Sequence, residues 1–218
     1  MTNELKDLYI IGASGFGRET ADTVHDINQE KPRYRIAGFI DNDINIIGTQ
    51  INGIEVLGPD NYLIELKQQS DERPCAVIAI ADPHIKERIV NKLDKYVVWE
   101  NIIHPSVAVK SGVVIGQGNI IQQFSVVSSN VTVGDHCIIN YGCILGHDVK
   151  CGDYSSVMPI CGIMGACEIS EKVYIGTGAM IIQGLKVGKR AVVGAGTVVV
   201  KEVEEGATVV GNPARRIK

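Results

Sequence analysis

From Ile103 to Val199 the chain repeats itself every six residues. The sixth places are Ile103, Val109, Ile115, Ile121, Val127, Val133, Ile139, Leu145, Cys151, Val157, Ile163, Ile169, Ile175, Ile181, Val187, Val193 and Val199. All are aliphatic except Cys151, and cysteine is itself small and readily buried. Glycine often follows directly, as at Gly116, Gly134, Gly146, Gly152, Gly176, Gly188 and Gly194. The fifth place is small or β-branched: Val131, Cys137, Cys143, Cys161, Cys167, Ala179, Ala191, Thr197. A hexad period held over this length is the signature of a parallel β-helix. Each hexad supplies one short strand and one turn, and three hexads close a triangular coil. The aliphatic residue points into the prism and stacks on its equivalents above and below. The fifth-place residue also points inward, and must be small because the corners are narrow.

Composition fits that reading. The 218 residues include 24 glycines and only 5% aromatics, as a glycine-punctuated solenoid of aliphatic layers requires. A net charge of −4 gives no general attraction to nucleic acid or to an anionic membrane surface. No apolar run approaches the roughly 20 residues of a membrane helix. The six cysteines form no C-x-x-C pair, and four occupy inward fifth places, so they read as buried, reduced thiols rather than disulfides or metal ligands. The opening six residues are charged and lead straight into a strand, unlike a secretory leader, so the expected location is cytoplasmic.

Residues 1–100 alternate β and α. Leu8-Tyr9-Ile10-Ile11 ends in Gly12-Ala13-Ser14-Gly15-Phe16-Gly17, and a helix is predicted over residues 18–28. Strand, glycine-rich turn and helix together form a phosphate cradle, with turn N–H groups and the positive helix end facing the anion. A tight βα turn without ligand is the plain alternative. Residues 36–40 form a second strand, ended by Asp41-Asn42-Asp43, where a carboxylate suits a ribose or base edge. The glycine spacing is G-x-x-G-x-G, so the dinucleotide fingerprint is not met and an NAD site is disfavoured. Asn52-Gly53 marks a turn, residues 60–69 a helix, residues 76–80 a fully apolar parallel strand, and residues 82–93 a further helix. The expected unit is a small, Rossmann-like, doubly wound sheet. Its ligand belongs at the carboxyl ends of the strands, among Ser14 to Phe16, Asp41, Asn42 and Ala81.

His104-Pro105-Ser106 opens the repeat region, 101–218. A prism filled by stacked aliphatics has no room for a ligand, so chemistry belongs on its outer faces, at corners or between subunits. The conspicuous outward group is Gly146-His147-Asp148, two places after the inward Leu145. A lone histidine is more often a mere surface residue, but an adjacent carboxylate can orient an imidazole and raise its basicity. His104 and His136 lack that context and read as surface or hydrogen-bonded residues. The basic finish, Arg215-Arg216-Ile217-Lys218, is a solvated tail or a capping strand that meets an anion such as the phosphates of coenzyme A.

These stretches together resemble the hexapeptide-repeat acyltransferases, and within them the sialic acid O-acetyltransferase and PglD-like sugar acyltransferases. The resemblance rests on Gly12 to Gly17, Phe39-Ile40-Asp41-Asn42, Ile103-His104-Pro105-Ser106, the hexads, Gly146-His147-Asp148 and Gly211-Asn212-Pro213-Ala214-Arg215. It implies a left-handed coil, against the usual hand of parallel crossovers. It also implies a homotrimer with acetyl-CoA bound between subunits. In that family a histidine followed by Glu or Asp is the general base and its partner, which His147 and Asp148 match. The family typically carries a second histidine where this chain has Ser156, so the resemblance implies a hydroxyl contact to the acetyl carbonyl. Gly165 and Thr177 correspond to the groups that contact thioester and pantetheine. Ser14, Gly15, Phe16, Asp41, Asn42 and Ala81 match positions that hold a nucleotide-sugar.

The expected function is therefore direct, metal-free acetyl transfer from acetyl-CoA to an amine of a nucleotide-linked sugar, in glycan or capsule precursor synthesis. Two other classes stand beside it: an O-acetyltransferase acting on sialic acid or another sugar hydroxyl, and a trimeric scaffold with a vestigial site.

Overall fold

The computed structural model describes residues 5–218, so the first four residues of the charged opening segment lie outside it. The chain divides into two compact units. One comprises residues up to Ala81 together with Ile85–Pro105, and the other comprises Asp82–His84 with Ser106–Lys218.

The first unit is an α/β sheet. Its strands are β1 (Lys6–Ile11), β2 (Tyr34–Ile40), β3 (Gln50–Ile51), β4 (Ile54–Gly58), β5 (Cys75–Ile78) and β6 (Val98–Trp99). Its helices are α1 (Gly15–Glu30), α2 (Asn61–Gln69) and α3 (Pro83–Leu93). The sheet order is β3-β4-β2-β1-β5-β6, with only β3 antiparallel to its neighbour. Asn52 and Gly53 join β3 to β4 with φ of 51° and 79°, the left-handed pair that a tight hairpin turn demands. The chain winds from β1 to one side, then returns to β5 on the other. The strand order therefore reverses beside β1, where the carboxyl edge of such a sheet opens a crevice. Leu8, Ile10, Phe39, Ile40, Val77 and Ile78 form the core, each at most 1% exposed.

The second unit is a left-handed parallel β-helix. The first face carries Ile120–Ile121, Ile138–Ile139, Ser156–Val157, Tyr174–Ile175 and Val192–Val193. The second carries Ala108–Val109, Val126–Val127, Ile144–Leu145, Gly162–Ile163, Met180–Ile181 and Val198–Val199. The third carries Val114–Ile115, Thr132–Val133, Lys150–Cys151, Glu168–Ile169 and Lys186–Val187. Every sixth-place residue from Ile121 to Val199 is at most 2% exposed, so the repeat is the core. Val109 departs from it at 45% exposed, because its strand edges the second face and no earlier coil lies against it.

The corners explain the cysteines. Each fifth-place thiol donates to a carbonyl of the next coil: Cys137 to Gly152 at 3.2 Å, Cys143 to Met158, Cys161 to Gly176 and Cys167 to Ile182, each at 3.1 Å. Ser125 and Ser155 do the same with hydroxyls, to Asn140 and Ser170. A small side chain with one donor both fills the narrow corner and satisfies a buried carbonyl. Burial pushes the Cys167 thiol up, which keeps it protonated. The same turns place one residue each in the left-handed region, including Phe124, Asn130, His136, Asp148, Tyr154, Ile160 and Ala166, with φ between 55° and 63°.

Of the two readings of His136, the surface one fails here. His136 is not at the surface. It is 2% exposed, and its ring stacks on Tyr154 of the next coil with centroids 5.6 Å apart. It fits because Gly118, one coil earlier, has no side chain to meet the imidazole. Ile120, the residue before the inward Ile121, is fully buried within the single chain. His104 is hydrogen-bonded, to Asp26 of α1 at 3.1 Å.

Candidate active site

His147 and Asp148 sit on the corner between the second and third faces. His147 follows Leu145, whose burial fixes the outward direction of the residues after it, and the imidazole is 68% exposed. Its Nδ1 lies 2.8 Å from Asp148 Oδ2. An ionised carboxylate only accepts, so the neutral imidazole carries its proton on Nδ1 and leaves the Nε2 lone pair facing away. The hydrogen bond from His147, and next that from Asn130 Nδ2 at 3.2 Å, hold the Asp148 carboxyl below its usual range. The ring rests on Gly165 of the next coil. A Cβ there would lie 2.5 Å from Nε2 and 2.6 Å from Cε1. The backbone closes the same contact, with Ala166 N–H donating to His147 O at 2.8 Å.

Of the expected residues on the coil, His147, Asp148 and Gly165 thus come together. Ser156 and Thr177 do not join them within one chain. Thr177 is exposed at the corner after the first-face strand Tyr174–Ile175. Ser156 also belongs to the first face, where Ile138 and Tyr174 flank it in register, and it is 0% exposed. Its hydroxyl is thus covered within the single chain. Asn130 was missed in the sequence. Its only signal there is its place one full coil before Asp148.

In the first unit, Ser14 to Phe16, Asp41-Asn42 and Ala81 all lie beyond the carboxyl ends of adjacent strands β1, β2 and β5. Gly12 N–H donates to Ile40 O at 2.8 Å, and Ala79 N–H to Ile11 O at 2.8 Å, which ties the three ends together. Gly12 has φ +104°, and a Cβ there would meet Ala79 O at 2.9 Å, so the turn requires glycine. Gly17 likewise has no room, because its Cβ would overlap Gly12 O. Ser14 caps α1 by position but makes no side-chain cap bond, and no acidic residue occupies the first turn. The helix therefore offers unneutralised N–H groups to an anion. Asp41 spans the site: Oδ2 accepts from Ala13 N–H at 2.9 Å and Oδ1 from Asp43 N–H at 3.0 Å. Asn42 is braced by Asp60, its Nδ2 donating to Asp60 Oδ2 at 3.1 Å.

At the far end of the coil, Arg216 pairs with Glu204, while Arg215 bonds the carbonyl of Ala214. Lys201, Pro213, Ala214, Arg215 and Arg216 line a depression of about 520 Å³.

The chain is similar to known proteins over nearly all of its length. Residues 7–93 match the PglD N-terminal domain family. The chain is 34% identical to a GDP-perosamine N-acetyltransferase of Escherichia coli O157:H7, over 96% of this chain and 95% of that one. Among solved structures, it resembles PerB from Caulobacter crescentus in complex with CoA and GDP-perosamine, at 25% identity and a TM-score of 0.89, over the full length of both. It also resembles the acetyltransferase domain of PglB from Neisseria gonorrhoeae FA1090 in complex with acetyl coenzyme A. There the identity is 28% and the TM-score 0.87, over 98% of this chain and all of that one.

Proposed function

The chain belongs to the PglD-like sugar acetyltransferases, and from that premise we propose how its residues transfer acetyl from acetyl-CoA to an amino group of a nucleotide-linked sugar. The acceptor that its relatives point to is GDP-perosamine. The observation that carries the reading is the exposed His147 imidazole, bonded through Nδ1 to Asp148 so that Nε2 is left to take a proton.

The sugar amine attacks the thioester carbonyl. A C–N bond forms, and the carbonyl oxygen takes negative charge. His147 Nε2 receives the amine proton as attack proceeds, while Asp148 steadies the imidazolium. Collapse breaks the C–S bond, and the proton held by His147 passes to the departing thiolate of CoA. The backbone N–H of Gly165, the residue on which the ring rests, serves as donor to the developing oxyanion. Thr177 serves the pantetheine arm, and Lys201 and Arg215 suit its phosphates.

The nucleotide-sugar occupies the carboxyl edge of the first unit. Gly15 and Phe16 N–H groups at the start of α1 face the diphosphate, Ser14 offers its hydroxyl, and Asp41, Asn42 and Ala81 flank the nucleoside. Asp41 does more than touch a ribose, because its two oxygens also hold the turn at Ala13 and Asp43. Asp41→Ala should weaken GDP-sugar binding by about 1.5–3 kcal/mol, the worth of a hydrogen bond to a charged group, or roughly 10-fold and more. Acetyl-CoA affinity should be unchanged. Calorimetry that found both ligands equally weakened would make Asp41 structural.

The assembly is a homotrimer in this proposal. The second face carries outward Val126, Ile144, Met180 and Val198, and Phe124 and Ile160 project from its corner at 71% and 68% exposed. A stripe of that size needs a cover, and a closed symmetric ring supplies one. Ile120, already buried, is no part of it. Light scattering should give three times the 23.5 kDa chain mass. A monomeric mass would leave the stripe unexplained and end the trimer reading. The free cysteines and the need for acetyl-CoA support a cytoplasmic setting.

The deciding experiment is CoA release. The enzyme should release CoA with acetyl-CoA and GDP-perosamine, and not with free sialic acid. Release only with sialic acid would install the O-acetyltransferase reading. Release with no amino sugar or hydroxyl sugar would leave the scaffold.

A further inference from the structure

We propose that Asn130 is a positioning residue for the base, acting through Asp148; the inference rests on His147 being that base. Asn130 and Asp148 hold the left-handed place of the same corner in consecutive coils, with φ of 59° and 61°. Asparagine and aspartate tolerate that conformation better than other side chains. Equivalent places in successive coils lie about one strand spacing apart, roughly 4.8 Å, so their side chains meet. Two carboxylates there would repel, whereas an amide N–H and a carboxylate attract.

The direction of the amide is set from below. Gly112 holds the same place one coil earlier, with φ +71°, and a Cβ there would overlap Asn130 Oδ1. The amide oxygen fills the slot that Gly112 leaves open, which turns Nδ2 up toward Asp148 Oδ1 at 3.2 Å. Asn130 N–H is fixed in turn by Ser111 O at 3.0 Å, and Asp148 N–H by Ser129 O at 3.0 Å.

The consequence is geometric. With Oδ1 held by Asn130, the carboxylate presents Oδ2 to His147 Nδ1 at 2.8 Å. One bond alone would let the exposed carboxylate rotate about its terminal torsion, which is soft. Two bonds, one to each oxygen, fix both the carboxylate plane and the imidazole that leans on it. No other charge competes within the adjoining corners. Residues 128–131 contain no titratable side chain, and residues 164–167 contain only Cys167, which points inward.

The test pairs two substitutions. Asn130→Gly keeps the left-handed backbone free of strain and removes the amide. Asn130→Asp keeps the shape and replaces the donor by a like charge. In Asn130→Gly, kcat should fall about 10-fold, because an imidazole released from its orientation spends less time in line with the amine. The KM for each substrate should stay within about twofold, since no ligand contact is lost. Asn130→Asp should cost more than Asn130→Gly. The ¹³C resonance of the Asp148 carboxyl should titrate at higher pH in Asn130→Gly, because a donor to the ionised form is gone. In a His147→Ala background, Asn130→Gly should add nothing.

Wild-type kcat in Asn130→Gly, beside a crippled His147→Ala, overturns this inference and leaves the base assignment standing. Full turnover in His147→Ala overturns both. A drop in thermal stability that tracks the loss of kcat in both Asn130 variants would assign Asn130 to the coil alone and likewise overturns the proposal.

Discussion

His147→Ala is expected to lower kcat by roughly 10²–10⁴-fold, the usual worth of a positioned general base. The fold should not notice. The imidazole is 68% exposed, and its neighbour in the core, Leu145, is untouched. Melting temperature and oligomeric mass should therefore match the parent. Binding of GDP-perosamine and of acetyl-CoA should also persist, because neither the carboxyl edge of the α/β sheet nor the basic end of the coil contains His147. An inactive enzyme that still binds both substrates is the expected signature. Turnover at the parental rate under saturating substrates, with chemistry limiting, would remove the base and with it the mechanism.

Asp148→Asn should cost less than His147→Ala. It keeps a polar partner at Nδ1 but removes the charge that stabilises the imidazolium, and an amide can turn its N–H groups toward the ring. The Asp148 carboxyl is held below its usual range, chiefly by His147 and then by Asn130. It therefore stays ionised above that depressed value and loses its role only when pH falls through it.

Much of this architecture was legible in the residues because the hexad is a packing rule. One inward aliphatic per strand, repeated in register, leaves a triangular prism as the way to bury the stripe. The small fifth place was legible as a narrow corner, but not the choice of cysteine. That choice depends on a carbonyl of the next coil, 15 residues on, accepting from the thiol. The burial of His136 and Ile120 was not legible, for a related cause. The period says which residues point outward, and it does not say what covers them afterwards. The position of Ser156 in the repeat was likewise legible, and its full burial was not.

The site divides along the same line. His147 beside Asp148 is a local pair that adjacent residues display. Asp41 was legible as a carboxylate at a strand end, yet its grip on Ala13 joins residues 28 apart through a parallel sheet. Asn130 and Asp148, like His147 and Gly165, are 18 residues apart and meet only when the coil closes. Contacts at one full coil are invisible until the handed turn is laid down, although each then recurs at the same interval.

Gly165→Ala is the sharper use of that interval. The substitution adds one methyl group, and Gly165 has no positive φ to forbid it. The backbone can accept alanine, so the coil should fold and keep its stability. The methyl has nowhere to go except into the imidazole, at 2.5 Å from Nε2 and 2.6 Å from Cε1. Something must move, and the exposed ring on its single-bonded stem moves more readily than the coil beneath it. The ring then tilts off its seat, and the hydrogen bond from Nδ1 to Asp148 is lost or bent. Displacement of a catalytic atom by about 1 Å costs on the order of 10²-fold in rate. The expected result is thus a kcat near that of a missing base, in a protein with every catalytic side chain present. The Asp148 carboxyl should titrate at higher pH as its first hydrogen bond weakens. Gly146→Ala is the control with the opposite failure. Its Cβ would lie 2.6 Å from Gly165 N, against backbone rather than a free ring, so it should lose stability as well as rate. If Gly165→Ala kept both its stability and its kcat, the ring would not need that seat, and the imidazole would be held by Asp148 alone.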